Sequence, residues 1–287
     1  MTSPAAATDP LTPWRVAAIS FLNTAPLLRG LENEAGLRLQ SMLPAQCAEA
    51  LRAGTADIGI IPVIEMARIP GLVALPEIAI AARSEVRSIL LISRCPPARI
   101  RRLCLDPASR TSAALVQILL RRRFGAEFSI EPPTPDWQAM LARADGGLLI
   151  GDPALQVSVS GAAAAAGFET RDLAAEWHRW TGLPFVFALW AVRQERLERG
   201  GPGEGQWLAA RFLRAKREGL AHLDELVAQW APRLGLAPAE IRRYLEVDVE
   251  FDFTPEHRQG LARFFQLAAE MGLIASPRLP NLLSWRP

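Results

Sequence analysis

Residues 103–112 read Leu-Cys-Leu-Asp-Pro-Ala-Ser-Arg-Thr-Ser and join a strand-like apolar run to a helical pattern. Apolar residues at helical spacing continue from Ala113 to Leu120. The pattern predicts that a strand ends near Asp106 and that a helix begins near Ser109. A strand–loop–helix unit of this kind is the building block of α/β folds.

The loop in this unit carries several groups that bind anions. Ser109, Thr111 and Ser112 have side-chain oxygens that cap helix N-termini, and Arg110 has a planar guanidinium that can bind a carboxylate through two hydrogen bonds. The first turn of the helix adds unpaired N–H groups and the positive end of its dipole. The loop is therefore a candidate carboxylate or phosphate site. A well-capped helix with a solvated Arg110 explains the same residues equally well.

Strand and helix patterns alternate on both sides of this loop. Strands are predicted at residues 14–20, 39–42, 57–62, 86–93, 103–105, 128–132, 147–150 and 184–192, with helices between most of them. Pro96-Pro97 separates two such series, and the chain after Gly205 is nearly all helical. This order predicts an α/β protein with parallel strands, and Ala162–Ala166 is interpreted as an insertion at a surface turn.

More polar residues fall near predicted strand ends. Asn23 and Thr24 follow the first strand, Gly151 and Asp152 follow the strand at 147–150, and Ser88 lies near the start of another strand. Ligands of parallel α/β sheets bind beyond the carboxyl ends of the strands, so these residues are candidate site residues. Helix capping, and an ordinary strand position for Ser88, are the alternatives.

The composition argues against several classes of function. The net charge is +2 and the arginines are scattered, so nucleic-acid binding is not indicated. Three cysteines lack metal-ligand spacing, and we find no Walker, dinucleotide-binding or serine-hydrolase motif, so neither a metal nor a cofactor is expected. Without a membrane-spanning run, or a signal-like segment in residues 1–13, the sequence predicts a soluble, cytoplasmic protein.

Six segments appear in an order that resembles a known enzyme family. They are residues 19–27 (Ile-Ser-Phe-Leu-Asn-Thr-Ala-Pro-Leu), 44–63 (beginning Pro-Ala-Gln-Cys-Ala-Glu), 86–91, 105–112, 149–155 and 176–190 (beginning Glu-Trp-His-Arg-Trp-Thr-Gly). Each motif is weak alone, but together they are specific. They resemble the chorismate dehydratases of the futalosine route to menaquinone.

The resemblance implies a type II periplasmic-binding-protein-like fold, which has two α/β lobes and a central ligand cleft. Lobe I would contain residues 14–93 and 186–287, and lobe II residues 94–185. Residues 1–13 would be a disordered N-terminal extension. The late helices would pack on lobe I.

The resemblance also implies a carbon–oxygen lyase that removes water from chorismate to give 3-[(1-carboxyvinyl)oxy]benzoate. The expected catalytic residues are Asn23, Ser88 and Asp152. The expected substrate-binding residues are Thr24, Ser109, Arg110, Thr111, Ser112 and Gly151. The proton acceptor is either Asp152 or the substrate's own enolpyruvyl carboxylate.

Three alternative functions share the fold. They are the sister dihydroxynaphthoate synthase of the same pathway, a non-catalytic solute-binding protein and the effector domain of a regulator. The last two would need a secretion signal or a helix-turn-helix segment, and neither is expected here. The Ser-Arg-Thr-Ser loop and the Asn-Thr-Ala-Pro segment favour the dehydratase over its sister enzyme. Oligomeric state and the resting state of the cleft stay open.

Overall fold

The computed structural model describes residues 13–284, and within this range ten strands form two five-stranded sheets. The strands are β1 (Trp14–Ile19), β2 (Leu37–Met42), β3 (Ile58–Pro62), β4 (Leu72–Ala82), β5 (Ile89–Ser93), β6 (Arg102–Cys104), β7 (Ser129–Glu131), β8 (Gly146–Ile150), β9 (Glu169–Asp172) and β10 (Phe185–Arg193).

Helices connect the strands and cover both sheets. They are α1 (Ala25–Leu28), α2 (Pro44–Arg52), α3 (Thr111–Ile118), α4 (Trp137–Arg143), α5 (Gly151–Ser160), α6 (Ala162–Ala165), α7 (Leu173–Thr181), α8 (Gln194–Gly200), α9 (Glu204–Ala221), α10 (Leu223–Leu234), α11 (Pro238–Arg243) and α12 (Pro255–Glu270). The alanine run at 162–166 was expected to be a surface insertion, but it forms α6 and buries Ala163. No helix of the described range is long and apolar enough to cross a membrane.

The two sheets have the same topology. The first has the strand order β2-β1-β3-β10-β4 and the second β7-β6-β8-β5-β9. In each sheet four strands run in the same direction, and the remaining strand, β10 in the first sheet and β5 in the second, runs antiparallel to both of its neighbours. The predicted α/β fold with two lobes is therefore confirmed, although both sheets are mixed rather than purely parallel.

The chain crosses between the sheets twice. The first crossing lies between Ala82 and Ile89, because β5 pairs with β8 and β9 of the second sheet. The sequence-based boundary at residue 93 therefore placed β5 in the wrong lobe. Every residue of β5 is buried, and a uniformly apolar run does not specify which sheet it joins. The second crossing ends at Phe185, which pairs with Ala82 in the first sheet. The proposed extension at residues 1–13 lies outside the described range, apart from its last residue.

Strand β4 is continuous through Pro76, although a proline lacks the N–H that would pair in a ladder. Glu77 has a φ of +61° and lies at an irregularity in the pairing with β10. Lys216 of α9 donates a 2.7 Å hydrogen bond to the Glu77 carbonyl and pairs with Asp252. A buried lysine therefore holds this distorted part of the strand against the late helices.

Aromatic side chains pack the two lobes together where the chain returns to the first sheet. Trp177 of α7 lies edge-to-face with Phe185 of β10 and Phe264 of α12, at centroid distances of 5.3 and 6.4 Å. Phe185 and Phe264 also pack together, at 5.0 Å. Each such pair contributes about 0.5–1.5 kcal/mol beyond its buried area. The cluster fixes one end of the lobe junction and leaves the strand ends to form the cleft.

Gly219 sets the close approach of α9 to α1. A Cβ at this position would lie 1.9 Å from the Pro26 carbonyl oxygen. Alanine normally stabilises a helix interior relative to glycine by about 1 kcal/mol. Here we expect Gly219→Ala to lower the free energy of unfolding by about 1–3 kcal/mol, because the helices must separate. Urea denaturation measures the change.

Gly205→Ala is the matched control, since it lies in the same helix and faces only the flexible Leu283 side chain at 3.0 Å. It should not lower stability. A Gly219→Ala protein as stable as the parent would contradict the packing described here.

Candidate active site

A cleft lies where strand ends of the two sheets meet. Its first-lobe wall comes from residues at or after the carboxyl ends of β1, β2 and β3, and its second-lobe wall from those after β6 and β8. Ligands are expected at this edge of an α/β sheet. The apolar lining includes Ile19, Phe21, Ile80, Ile89, Ile150 and Phe187. The cleft suits a small molecule with an apolar ring.

The cleft is narrow, with a volume of about 50 Å³. Ligand pockets usually enclose roughly 300–1,000 Å³. The two walls of the cleft are therefore close together, and the space between them is smaller than an ordinary ligand pocket.

Asp106 holds the Ser109–Ser112 loop, which forms the polar wall of the cleft. Its carboxylate accepts hydrogen bonds from Ala108 N at 2.9 Å and from Ile150 N at 3.3 Å. Its carbonyl accepts one from Ser109 N at 3.0 Å. Burial raises the pKa of Asp106, although both backbone contacts act in the opposite direction. This buried carboxyl joins the loop to the end of β8.

Helix α3 begins at Thr111, with Arg110 as its N-cap residue, slightly later than predicted. Ser109 Oγ accepts from Ala113 N at 3.1 Å, and the Arg110 carbonyl accepts from Ala114 N. Within residues 13–284, the N–H groups of Thr111 and Ser112 have no hydrogen-bond acceptor. These two donors and the positive end of the helix can therefore bind an anion.

The guanidinium of Arg110 lies at the same wall. Its Nη1 donates to the carbonyls of Pro107 and Ser109, at 3.3 and 3.2 Å. In the described part of the chain, no carboxylate lies within 4.0 Å of it. Arg110 thus adds a half-buried positive charge beside the free N–H groups.

Asn23 lies in the wall of the first lobe, in a single 3₁₀ turn after β1. The Thr24 hydroxyl donates to Asn23 Oδ1 at 3.2 Å. Thr24 itself is fully buried and does not line the cleft. It orients Asn23 rather than offering a contact to a ligand.

Ser88 is buried directly behind the cleft. Its Oγ accepts a 2.8 Å hydrogen bond from the Tyr244 hydroxyl, and its carbonyl accepts one of 2.8 Å from Gly151 N. Sequence reasoning missed Tyr244, which lies 156 residues from Ser88 along the chain. The apolar helical pattern around Tyr244 gave no indication of a polar role. That it is the only tyrosine of the chain was the one available signal.

Gly151 and Asp152 meet the first lobe. Gly151 has a φ of +70°, and a Cβ there would lie 2.4 Å from the ring of Phe21, so only glycine fits. Asp152 Oδ1 accepts from Leu22 N at 2.9 Å. Burial raises the pKa of Asp152 to about 6. A second bond between the lobes runs from Ile64 N to Thr111 Oγ1 at 3.3 Å.

The structure thus separates the predicted site residues into two layers. The cleft is lined by Asn23, Ser109, Arg110, Thr111, Ser112 and Gly151. Thr24, Ser88 and Asp152 lie outside the lining and bond to residues in or next to it. Across residues 13–284 there is no group of three His, Cys, Asp or Glu residues that could hold a metal.

A roomier cavity of about 590 Å³ adjoins the cleft through Ile19 and Phe21. Its rim carries both signs of charge, including Arg29, Arg233 and Glu218. None of residues 109–112 lines it. The unpaired donors of α3 belong to the lining of the narrower cleft.

Comparisons with known proteins place this geometry in a family. A family model described as menaquinone biosynthesis matches residues 14–270. A relative from Thermus thermophilus named chorismate dehydratase is 30% identical, over 93% of this chain and 98% of that protein. One of the same name from Campylobacter jejuni is 24% identical, over 88% and 92%.

Solved structures agree on the fold. A crystal structure of a protein from Archaeoglobus fulgidus superposes with a TM-score of 0.72 at 18% identity, covering 93% of this chain and 100% of that one. The periplasmic aliphatic sulphonate binding protein of Escherichia coli gives 0.62 at 17% identity, covering 96% and 95%. The fold is therefore that of the periplasmic binding proteins.

The raised pKa of Asp152 predicts a pH-dependent stability. Its pKa is about 6 in the folded protein against 3.8 ordinarily, so between these values the folded state holds more protons than the unfolded chain. Stability contributed by this group therefore falls as the pH rises through that window. Asp152→Asn removes the effect, so from pH 4 to pH 7 the free energy of unfolding of the variant should rise, relative to that of the parent, by on the order of 2 kcal/mol.

Urea denaturation across this pH range measures the difference. Ser93→Ala, which removes a buried hydroxyl but no titrating group, should differ from the parent by a constant amount. If the difference in the free energy of unfolding between Asp152→Asn and the parent does not change with pH, the Asp152 carboxyl has an ordinary pKa.

Proposed function

The chain belongs to the menaquinone-biosynthesis family, and we propose that within it this protein is a chorismate dehydratase. It removes water from chorismate and releases 3-[(1-carboxyvinyl)oxy]benzoate. The observation that carries the proposal is the open N-terminus of α3, with Arg110 beside it, at one end of an apolar slot. An aromatic acid fits such a site. The proposed location is the cytoplasm.

The reaction needs little chemical help from the protein. The ring hydroxyl leaves and a base takes the neighbouring ring proton. The hydroxyl and one proton together account for the water that is released. The product ring is aromatic, so the elimination is strongly downhill. Chorismate can also rearrange to prephenate, and the enzyme must prevent that outcome. Holding both acid groups in an extended pose selects elimination by geometry.

Each wall of the cleft would contact a different part of the substrate. Residues 109–112 hold one carboxylate through hydroxyls, the free N–H groups of Thr111 and Ser112, and the Arg110 guanidinium. The ring lies against the isoleucine and phenylalanine side chains of the slot. Asn23 orients the other acid arm or the leaving hydroxyl, with Thr24 and Ser88 supporting it from behind.

Lobe closure completes the site. The bonds from Leu22 N to Asp152 and from Ile64 N to Thr111 form only when the lobes meet. Substrate binds when they are apart, and closure then excludes water from the ring. The site therefore assembles around its ligand.

Two groups are candidates for the proton acceptor. Asp152 has a pKa of about 6, which suits a base at neutral pH, but it lies outside the cleft lining and accepts from Leu22 N. The substrate's enolpyruvyl carboxylate is attached beside the departing proton. We favour the substrate carboxylate because it needs no movement of Asp152.

The sister dihydroxynaphthoate synthase and a non-catalytic solute-binding protein are the rival functions. Incubating the purified protein with chorismate separates them. The proposal requires chorismate to disappear and the aromatic product to form. Chromatography with ultraviolet detection measures both changes. Unchanged chorismate would refute the proposal.

Arg110→Ala tests the carboxylate site. Removing a charged hydrogen-bonding partner from a bound carboxylate costs about 1.5–3 kcal/mol, so KM should rise roughly 10- to 100-fold. The turnover number should change less, because the free N–H groups still orient the substrate. Steady-state kinetics with chorismate measure both constants.

Arg122→Ala is the control, since this exposed arginine makes only a 3.9 Å ion pair with Glu270. Its KM should equal that of the parent. An unchanged KM in Arg110→Ala would remove Arg110 from the site.

Asp152→Asn distinguishes the two proton acceptors. An asparagine oxygen can still accept from Leu22 N, so closure is preserved while the base is lost. We expect turnover within about threefold of the parent, because the substrate carboxylate would still take the proton. Removal of a general base, by contrast, typically lowers turnover 100-fold or more. A loss of that size in a folded protein would instead identify Asp152 as the base.

A further inference from the structure

We propose that Arg87 is a positioning residue: because it binds both lobes, it fixes the part of the cleft wall that contains Ile89 and Gly151. The inference rests on the proposed function, and it adds a residue that does not itself line the cleft. Arg87 lies in the first crossing between the sheets, two residues before the start of β5. The contacts made at such a crossing determine how the two walls face each other.

The backbone at Arg87 is bound to the second lobe. The N–H groups of Arg87 and Val86 donate to Asp172 Oδ2, at 2.5 and 3.0 Å. Asp172 ends β9 and caps α7, so it is part of the second lobe. The carbonyl of the next residue, Ser88, accepts a 2.8 Å hydrogen bond from Gly151 N. The backbone of residues 86–88 is therefore tied to the second lobe.

The side chain of Arg87 is bound to the first lobe. Its Nε donates to Asp248 Oδ2 and its Nη1 to Glu240 Oε2, both at 2.5 Å. Asp248 ends the π-helical turn that directly follows α11. Two residues later, the backbone of Glu250 exchanges hydrogen bonds of 2.8 and 2.9 Å with Ala81 of β4. The acidic partners of Arg87 are therefore attached to the first sheet.

These contacts hold Arg87 in an unfavourable conformation. Its φ is +59°, in the left-handed region, which costs a residue with a side chain about 1–3 kcal/mol. Both Arg87 and Asp248 are buried, and a buried ion pair also needs good geometry to repay its desolvation. Strain of this kind persists only when the surrounding contacts determine the backbone. The crossing at Arg87 is therefore a fixed point rather than a loose linker.

Two residues of the cleft wall depend on this fixed point. Ile89 follows Arg87 by two positions, and Gly151 is bound to the carbonyl between them. Both line the cleft, as does Phe21 of the opposite wall. Gly151 lies so near Phe21 that a Cβ would be 2.4 Å from the ring. A shift of residues 86–88 relative to the first lobe would therefore change the space that receives the substrate ring.

Loss of the Arg87 ion pairs should affect binding more than turnover. Without them the lobes also adopt arrangements in which the walls are misplaced, and only the remaining fraction of the protein binds substrate. The apparent affinity falls by that fraction, whereas saturating substrate restores the competent arrangement. A merely structural role would instead reduce the amount of folded enzyme. That reduction lowers kcat and leaves KM unchanged.

Glu240→Ala is the direct test, because the Glu240 side chain is about one-third exposed and its loss leaves Arg87 paired with Asp248. A hydrogen bond to a charged group contributes about 1.5–3 kcal/mol. In steady-state assays with chorismate, KM should therefore rise about tenfold or more, while kcat stays within about threefold.

Arg242→Ala is the matched control. Arg242 lies on the same helix as Glu240, and its ion pairs with Asp224 and Glu246 stay within the late helices. Its KM should equal that of the parent. A Glu240→Ala enzyme with parental KM, or with a lower kcat and an unchanged KM, would overturn the inference.

Variants of Arg87 test whether Glu240 acts through it. Arg87→Ala should raise KM at least as much as Glu240→Ala, and Arg87→Lys should recover part of the affinity because it keeps the charge. Adding Glu240→Ala to Arg87→Ala should raise KM no further. Independent, multiplying effects on KM would overturn the inference. If Arg87→Ala does not fold, Glu240→Ala and its control decide the question.

Small-angle scattering gives a readout that does not depend on turnover. Ligand-free Glu240→Ala should have a larger radius of gyration than the parent and Arg242→Ala. Saturating 3-[(1-carboxyvinyl)oxy]benzoate should restore the parental value. Identical ligand-free curves for Glu240→Ala and the parent would overturn the inference. Parental protein that does not consume chorismate would instead refute the proposed function, and the ligand-free curves would still test the role of Arg87.

Discussion

Unpaired N–H groups at helix N-termini are the constraint on which this structure depends. Two short 3₁₀ segments after β1 and β3, and α3 after β6, present N–H groups at the lobe boundary, and each such group needs an acceptor. Leu22 N finds Asp152 across the boundary, and Ile64 N finds Thr111. Thr111 N and Ser112 N have none among the described residues, so these two donors are available to the carboxylate of the proposed substrate. Ligand binding and lobe closure thus satisfy the same kind of group.

This arrangement explains how a binding-protein fold can support an elimination. The reaction is driven by aromaticity, so the protein contributes orientation, exclusion of water and selection against rearrangement rather than strong acid–base chemistry. One wall binds charge, and the other holds a carboxamide whose orientation is set from behind. The apolar slot between them accepts a flat ring. Buried polar side chains support both walls: Asp106 joins the loop at residues 109–112 to the end of β8, and the Thr24 hydroxyl donates to Asn23.

The sequence predicted the parts of the site that are encoded locally. Residues 109–112 form the loop and helix start that line the cleft because an apolar strand, capping residues and a helical pattern follow one another directly. What it missed depends on distant contacts. The strand at 89–93 is apolar on both faces, so only pairing with β8 and β9 shows its lobe. Tyr244 lies in an apolar helical pattern, and its partner is 156 residues away. Local sequence patterns also could not distinguish the residues that line the cleft from Thr24, Ser88 and Asp152, which lie outside the lining.

A crystal structure with bound 3-[(1-carboxyvinyl)oxy]benzoate tests the central claim most directly. The account predicts one carboxylate within hydrogen-bonding distance of Thr111 N and Ser112 N, the Arg110 guanidinium beside it, and the ring between Phe21 and the isoleucines of the slot. A product bound instead in the larger cavity near Arg29 and Arg233, with the N-terminus of α3 empty, would contradict it.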